Sequence, residues 1–333
     1  MFSATASFFM LKKSPFPLRK SELSYHFLPA KQKKIIAGLR IKSVNAIINN
    51  DNGDNGMKTF FDGLDEDIRL KLKDQLRDFW THNSTAIEGN SLTLDETAFV
   101  LREDLAIGGK LLRDHQEVTG HARAIEMIYG MLDKGKISEK DLFKLHKAVQ
   151  IQGMYDIYNP VGAWKKEENG TYVVDEKGKR IFKYFAAPDE VPYLMDRWIS
   201  KFNELYGKAK SESEALNSYD FLHVSFTRIH PFYDGNGRIA RLVSNLPVLK
   251  AGLPPIIISK EKRCEYIETL SFYDLAAGIP SRKNPELLPS HPKLDEFTSL
   301  VFAEWKNSID LVENARMEQN KRRNTRKPVT ASG

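Results

Sequence analysis

From residue 64 onward, apolar residues recur at the spacing of one helix face after another, and this repetition restricts the fold more than any other feature. Ile68, Leu72, Leu76, Phe79 and Trp80 form one stripe, with charges on the opposite side. Val118, Ala122, Ile125, Ile128, Tyr129 and Leu132 form another. Leu142, Leu145 and Val149 form a third, which Ser138 is placed to cap. Met195, Trp198, Ile199, Phe202 and Leu205 follow, then Leu222, Phe226 and Ile229, then Ile239, Leu242, Val243 and Leu246. Thr93-Leu94-Asp95-Glu96 reads as a capping box, in which the Thr and Glu side chains satisfy each other's backbone donors. One segment breaks the period. Tyr172-Val173-Val174 and residues 180–185 are β-prone runs on either side of Asp175-Glu176-Lys177-Gly178-Lys179. Residues 281–292, with Pro285, Pro289 and Pro292, read as a loop before a last helix around Phe297, Val301, Phe302 and Trp305. Strands do not alternate with helices as a parallel sheet requires. The expected fold is therefore all-α, a helical bundle with one β-hairpin.

Charge decides which partners this bundle can take. The chain of 333 residues has a net charge of +6, which would suit a nucleic-acid surface if it lay on the folded body. It does not. Residues 1–56 hold nine Lys or Arg against three acids, 316–333 hold six against one, and the body between them is net acidic. No nucleic-acid partner is expected, and a DNA-binding regulator is disfavoured. The two ends read as solvated charge, 1–56 as a disordered leader and 316–333 as a basic disordered tail. Residues 49–56 are rich in Asn, Asp and Gly and break structure, and Met57 follows directly. Ile256, Ile257 and Ile258 are the longest aliphatic cluster, far too short to span a bilayer, so no membrane partner is expected. The single cysteine, Cys264, excludes a disulfide framework and fits a reducing, cytoplasmic setting.

The chemistry concentrates in His230-Pro231-Phe232-Tyr233-Asp234-Gly235-Asn236-Gly237-Arg238-Ile239-Ala240-Arg241. One apolar stripe ends at Ile229 and a new helix begins near Arg238. Glycines in the loop between them let backbone approach a ligand closely, and N–H groups at a helix start attract anions. Arg238 and Arg241 are three apart and share a helical side, which suits a polyphosphate. Asp234 offers a hard oxygen ligand for Mg²⁺ beside that cradle. His230, at the other edge, is placed to take a proton from an incoming hydroxyl. Any one of these residues is more often structural, but six coherent positions within twelve residues point to transfer involving a nucleotide.

This stretch resembles the HPFx(D/E)GNGRxxR signature of Fic-domain proteins, with every signature position present. The resemblance implies a Fic-like bundle, a domain at 111–315 that carries the chemistry, and an N-terminal helical region at 57–110. It implies an enzyme that transfers AMP from ATP to a Ser, Thr or Tyr hydroxyl of a target protein, itself included. His230 would be the general base and Asp234 the Mg²⁺ ligand. Gly235, Asn236 and Gly237 would form the anion hole, and Arg238 and Arg241 would hold the outer phosphates. Transfer of another nucleotide, removal of AMP, or a nucleotide-sensing module without turnover are the alternatives on the same residues. A homodimer is left open.

A second string, Ser84-Thr85-Ala86-Ile87-Glu88-Gly89-Asn90, reads by itself as a solvated helix end. It also matches the family's inhibitory pattern (S/T)xxxE(G/N) through Ser84, Glu88 and Gly89, and lies N-terminal to the signature as in the class with an N-terminal inhibitory helix. The resemblance implies that Glu88 pairs with Arg241 and misaligns ATP. It also makes the hairpin a flap on which a target segment adds as a strand, with Phe182, Lys183 and Tyr184 as docking contacts. Tyr266 and Tyr273, seven apart on one helical face, read first as core, and by resemblance as contacts to the base or ribose. His146 and His223 lie among apolar positions and read as structural. Lys165, in Val161-Gly162-Ala163-Trp164-Lys165, stands where the family frequently has Arg. A chain of residues 57–333 is expected to fold and act without the leader. Urea unfolding and activity of that form test this, and loss of either would refute it.

Overall fold

The structure, a computed structural model, describes residues 59–150, 160–174 and 178–325. The leader reading of 1–56 falls outside them. The first helix, α1 (Glu66–Ile87), opens with Glu66 and Asp67, whose charges suit a helix N-terminus. It buries Ile68, Leu72, Leu76 and Trp80 at the expected spacing. Its last turns depart from amphipathic logic, because Thr81, His82, Asn83, Ser84 and Thr85 are also buried. Of these, Ser84 meets Arg241 in the site described below.

Helix α2 (Leu94–Glu103) starts on the predicted capping box, with Glu96 N–H donating to Thr93 Oγ1 at 3.1 Å and Thr93 N–H to Glu96 Oε2 at 2.8 Å. Helices α3 (Leu112–Gly130) and α4 (Glu139–Val149) follow, and Asp141 reaches back to the Ser138 N–H at 2.9 Å. Strands β1 (Gly170–Val174) and β2 (Arg180–Tyr184) pair antiparallel, with Tyr172 opposite Phe182 and Val173 opposite Ile181. Helix α5 (Val191–Leu205) lies against the central α6 (Glu212–Ile229), where the Trp198 indole donates to Leu222 O at 3.1 Å. Two short helices, α7 (Asn236–Val243) and α8 (Asn245–Lys250), then lead to a 3₁₀ turn at Lys260–Lys262, α9 (Arg263–Ala277) and α10 (Pro292–Thr325).

One core joins most of these helices, while Val100 of α2 packs with Leu92 and Val118 in a smaller one. Leu76 and Trp80 of α1 pack in the same cluster as Ile125 of α3, Leu222 and Phe226 of α6, and Ile239 and Leu242 of α7. Packing is therefore continuous across residue 110, and α1 is held directly against the signature helix. Among the described residues, no helix is long and apolar enough to cross a membrane.

The last helix corrects one expectation. Residues 316–325 are not a disordered tail but continue α10. Composition misled here because the packing is polar. The Gln319 side chain is buried and accepts from Asp65 N–H at 2.8 Å, and Arg316 donates to Phe60 O at 3.3 Å. Ending the chain at residue 315 should free the start of α1. Amide exchange at Asp65 is expected to rise sharply, and an unchanged rate would show that α10 does not hold it.

Candidate functional site

The signature loop is shaped by two left-handed residues. His230 ends α6 at φ 53°, unusual for a residue with a side chain, and Gly235 precedes α7 at φ 79°. His230 is held there by its own N–H, which donates to Phe226 O at 2.9 Å. Its Nδ1 lies 3.1 Å from Thr227 O, an acceptor only, so Nδ1 carries the proton and Nε2 keeps its lone pair. The ring stacks on Phe185, with centroids 3.7 Å apart and planes within 4°. Enclosure drives the imidazole pKa down to about 3, and Lys165 nearby pushes the same way, so the ring is neutral at ordinary pH.

Asn236 staples the loop. Its side chain accepts from Phe232 N–H at 2.9 Å and donates to Phe232 O at 2.8 Å. The start of α7 is thereby left lined by Gly235 and Gly237. A Cβ on Gly237 would stand 2.6 Å from Glu88 Oε1, and one on Gly235 2.7 Å from Gln150 Nε2, so a side chain at either position would have to displace the end of its neighbour. Above this start lies a cavity of about 330 Å³. His230, Asp234, Gly235, Asn236, Gly237, Arg241 and Glu88 all line it, as do Lys183, Phe185 and Tyr266.

Arg241 is nearly inaccessible and fully engaged. Its Nε donates to Ser84 Oγ at 3.0 Å, and its Nη2 to Ser84 O at 2.9 Å and Glu88 Oε1 at 2.6 Å. Nη1 donates to the Tyr266 hydroxyl at 3.3 Å, which in turn meets His223 Nε2 at 2.9 Å. Burial opposes the charge, but the Tyr266 oxygen and the Glu88 carboxylate outweigh it and raise the guanidinium pKa. Ser84 and Glu88 thus form one contact with Arg241, which lies 157 and 153 residues further along the chain.

Other predicted positions are distributed differently. Arg238 does not line the cavity: it lies beneath, donating to Val149 O and to Asp234 Oδ2, each at 3.2 Å. Asp234 itself is open to solvent at the rim. Tyr273 does not reach the cavity either. Its hydroxyl donates to Pro289 O at 2.7 Å, which keeps it in the core. Of the three flap residues, Phe182 and Tyr184 point outward and are exposed, while Lys183 points into the cavity and pairs with Asp274. His146 supports the loop from below, accepting from Gly162 N–H at 2.8 Å and stacking on Phe232.

Sequence reasoning did not single out Asn169, Phe185 and Asp274. Asn169 donates to Phe232 O at 3.0 Å and accepts from the buried Lys165 ammonium at 2.6 Å. Lys165 N–H donates to Pro231 O at 2.9 Å, so Lys165 ties the base of the hairpin to the signature loop. Burial lowers the pKa of its ammonium to about 7. An Asn directly before a strand's first glycine was the available signal for Asn169. Asp274, one acid on a helix, had none.

Residues 136–247 match the model of the Fic/DOC family. This segment, which contains the signature loop, is similar to Fic domains. The chain is 33% identical over 190 residues to a protein adenylyltransferase Fic of Drosophila willistoni, covering 57% of this chain and 35% of that protein. The Drosophila virilis protein of the same name is also 33% identical, with 36% of it covered. The chain thus spans about a third of the length of the curated relatives it matches. In structure it resembles a Fic domain containing signaling protein from Bacteroides thetaiotaomicron, with a TM-score of 0.63 and 25% identity, covering 76% of this chain and 93% of that one. A Fic-1 fragment from C. elegans shares the fold, with a TM-score of 0.60 at 22% identity, covering 88% of this chain and 76% of the fragment.

The buried imidazoles set an acid limit. His230 and His223 are held near 3 and His146 near 4, all by burial first, and His82 and His121 are lowered as well. The unfolded chain binds these protons near pH 6.5 and the native chain does not, so stability falls as pH drops below that value. Asp220, raised to about 7 by burial, and Asp274 and Glu212, also raised, oppose this with fewer groups. The urea midpoint is expected to fall between pH 7 and pH 5, and a midpoint that rises would contradict the neutral-histidine reading.

Proposed function

We propose that this protein is an adenylyltransferase that moves AMP from ATP to a hydroxyl side chain of a target protein, and that Glu88 restrains it. The observation that carries this reading is the juxtaposition of a neutral His230 with the glycine-lined start of α7 across one cavity. The nucleotide phosphates would lie against the N–H groups of Gly235, Asn236 and Gly237, where the helix dipole also favours negative charge. The acceptor oxygen attacks the α-phosphorus and its proton passes to His230 Nε2. The bond from the α-phosphorus to the bridging oxygen breaks, and pyrophosphate leaves. Positioning and charge neutralisation supply most of the acceleration, as in phosphoryl transfer generally.

Mg²⁺ fits this arrangement. The Asp234 carboxylate is open at the cavity rim beside the anion site, and among the described residues no three acids or histidines converge to hold a metal unaided. Magnesium characteristically takes one carboxylate with phosphate oxygens and water, and when bound it would offset phosphate charge. Arg241, which lines the cavity, would be the guanidinium available to the outer phosphates, with Arg238 buttressing Asp234 from beneath.

Restraint follows from the occupied guanidinium. Glu88 Oε1 lies 2.6 Å from Arg241 Nη2 and within van der Waals reach of Gly237, in the space an outer phosphate would need. ATP entering beside it would sit displaced, and a displacement of about one ångström costs on the order of a hundredfold in rate.

Incubation with ATP and Mg²⁺ followed by intact mass measurement tests both parts. Glu88→Gly is expected to raise AMP incorporation, including self-modification, by on the order of a hundredfold. His230→Ala in that background should lower incorporation by roughly a hundred- to ten-thousandfold while ATP still binds. ATP binding without any adduct in the Glu88→Gly form would favour a nucleotide sensor instead. Labelling a lysate with that form would identify the targets.

A further inference from the structure

One wall of the cavity takes no part in proton removal or phosphate binding. It is strand β2, and its inward residue there is Lys183. The Lys183 ammonium donates to Asp274 Oδ2 on α9, and both side chains are only 9% exposed. Arg228 Nε of α6 lies 3.4 Å from Asp274 Oδ1, and Arg228 also donates to Gly278 O at 2.7 Å, just past the end of α9. One buried carboxylate therefore gathers a cation from the hairpin and another from the central helix. In the other direction, Lys183 Nζ stands 5.2 Å from the centre of the Phe185 ring, and Phe185 is the ring stacked on His230. The Phe185 N–H is anchored to Asn169 O at 3.1 Å.

From these contacts we infer that the Lys183–Asp274 pair is a positioning device, which fixes the height of the hairpin over the cavity and, through Phe185, the plane of the His230 imidazole. The inference rests on reading His230 as the base. Neither residue of the pair acts on the reacting atoms, so both are positioning residues. A hairpin of two five-residue strands is not stable alone. Its inner side offers little apolar surface, chiefly Val173, and the buried ion pair ties that side to α9. Removing one partner of a buried pair is severe, because the other charge stays behind. Arg228 moderates that here, since it remains beside Asp274 when Lys183 is replaced.

Lys183→Met in the full chain keeps the apolar stem and removes the ammonium, and Lys183→Arg restores a cation. Lys183→Gln keeps a donor and provides a milder comparison if the Met form folds poorly. Two readouts do not depend on turnover: amide exchange at Phe185, and the His230 ring-proton shifts, which a stacked phenyl ring moves upfield. In Lys183→Met, exchange at Phe185 is expected to quicken by about a hundredfold and the His230 signals to move downfield. Lys183→Arg should recover both. ATP affinity by calorimetry should stay within about twofold, the change expected when no phosphate contact is altered. In the Glu88→Gly background, the turnover number for self-modification should fall while KM for ATP holds. Unchanged exchange and unchanged His230 shifts would overturn the proposal. So would weakened ATP binding with unmoved His230 shifts, which would make Lys183 a nucleotide contact. Absence of transfer in every form would remove the reading of His230 as base, and the exchange and shift measurements would still decide whether the pair holds the ring.

Discussion

A cation taken out of water must be compensated, and the burial of Arg241 organises everything around the cavity. Its guanidinium is 3% exposed and meets Ser84 of α1, Glu88 just past the end of α1, and Tyr266 of α9. Such desolvation is tolerated only where donors find acceptors in good geometry. Three helices distant in sequence are thereby brought to one point. Part of the polar end of α1, which looks wrong for a buried helix, answers this demand: Ser84 supplies a hydroxyl and a carbonyl, and Glu88, just past the helix, a counter-charge. The same demand makes the contact replaceable. Any anion that offers Arg241 an equivalent oxygen competes with Glu88, and the outer phosphate of a nucleotide has that chemistry.

A second constraint is conformational. His230 occupies a left-handed backbone region that costs on the order of 1–2 kcal/mol for a residue with a Cβ. The strain is absorbed by a set of short-range ties: the Asn236 side chain on Phe232, the His146 ring on the same phenyl, and Asn169 reaching Phe232 O from the hairpin base. The loop is thus held where the proposed chemistry needs a fixed imidazole, and the hairpin is tied to the same loop by Lys165 and Asn169. Hairpin and loop behave as one assembly.

What could be read beforehand follows from which interactions are local. Helix positions were legible because burial imposes a 3.6-residue period, and the capping box at Thr93 and Glu96 because both partners lie within one turn. The hairpin was legible from its β-prone runs about a glycine turn. The end of α10 was not. Its burial is carried by Gln319 and Arg316 against residues 60–65, and a polar side chain looks the same in sequence whether it meets solvent or a distant carbonyl. The inward turn of Lys183 was equally hidden, since alternation along β2 fixes that it opposes Phe182 and Tyr184 but not which side meets the cavity.

By itself, the order of residues settled an all-α bundle with one hairpin, a glycine loop between two helices, and the placing of His230, Asp234 and Arg241 within twelve positions. These are consequences of spacing, and spacing is written along the chain. Only the folded chain decided that Arg238 lies beneath the cavity and Arg241 in it, that Tyr273 packs away while Tyr266 holds the guanidinium, and that Asp274 meets Lys183. Each of those outcomes depends on which groups from remote segments arrive to satisfy a buried charge. That matching is made in three dimensions, among residues whose separation in sequence carries no trace of it.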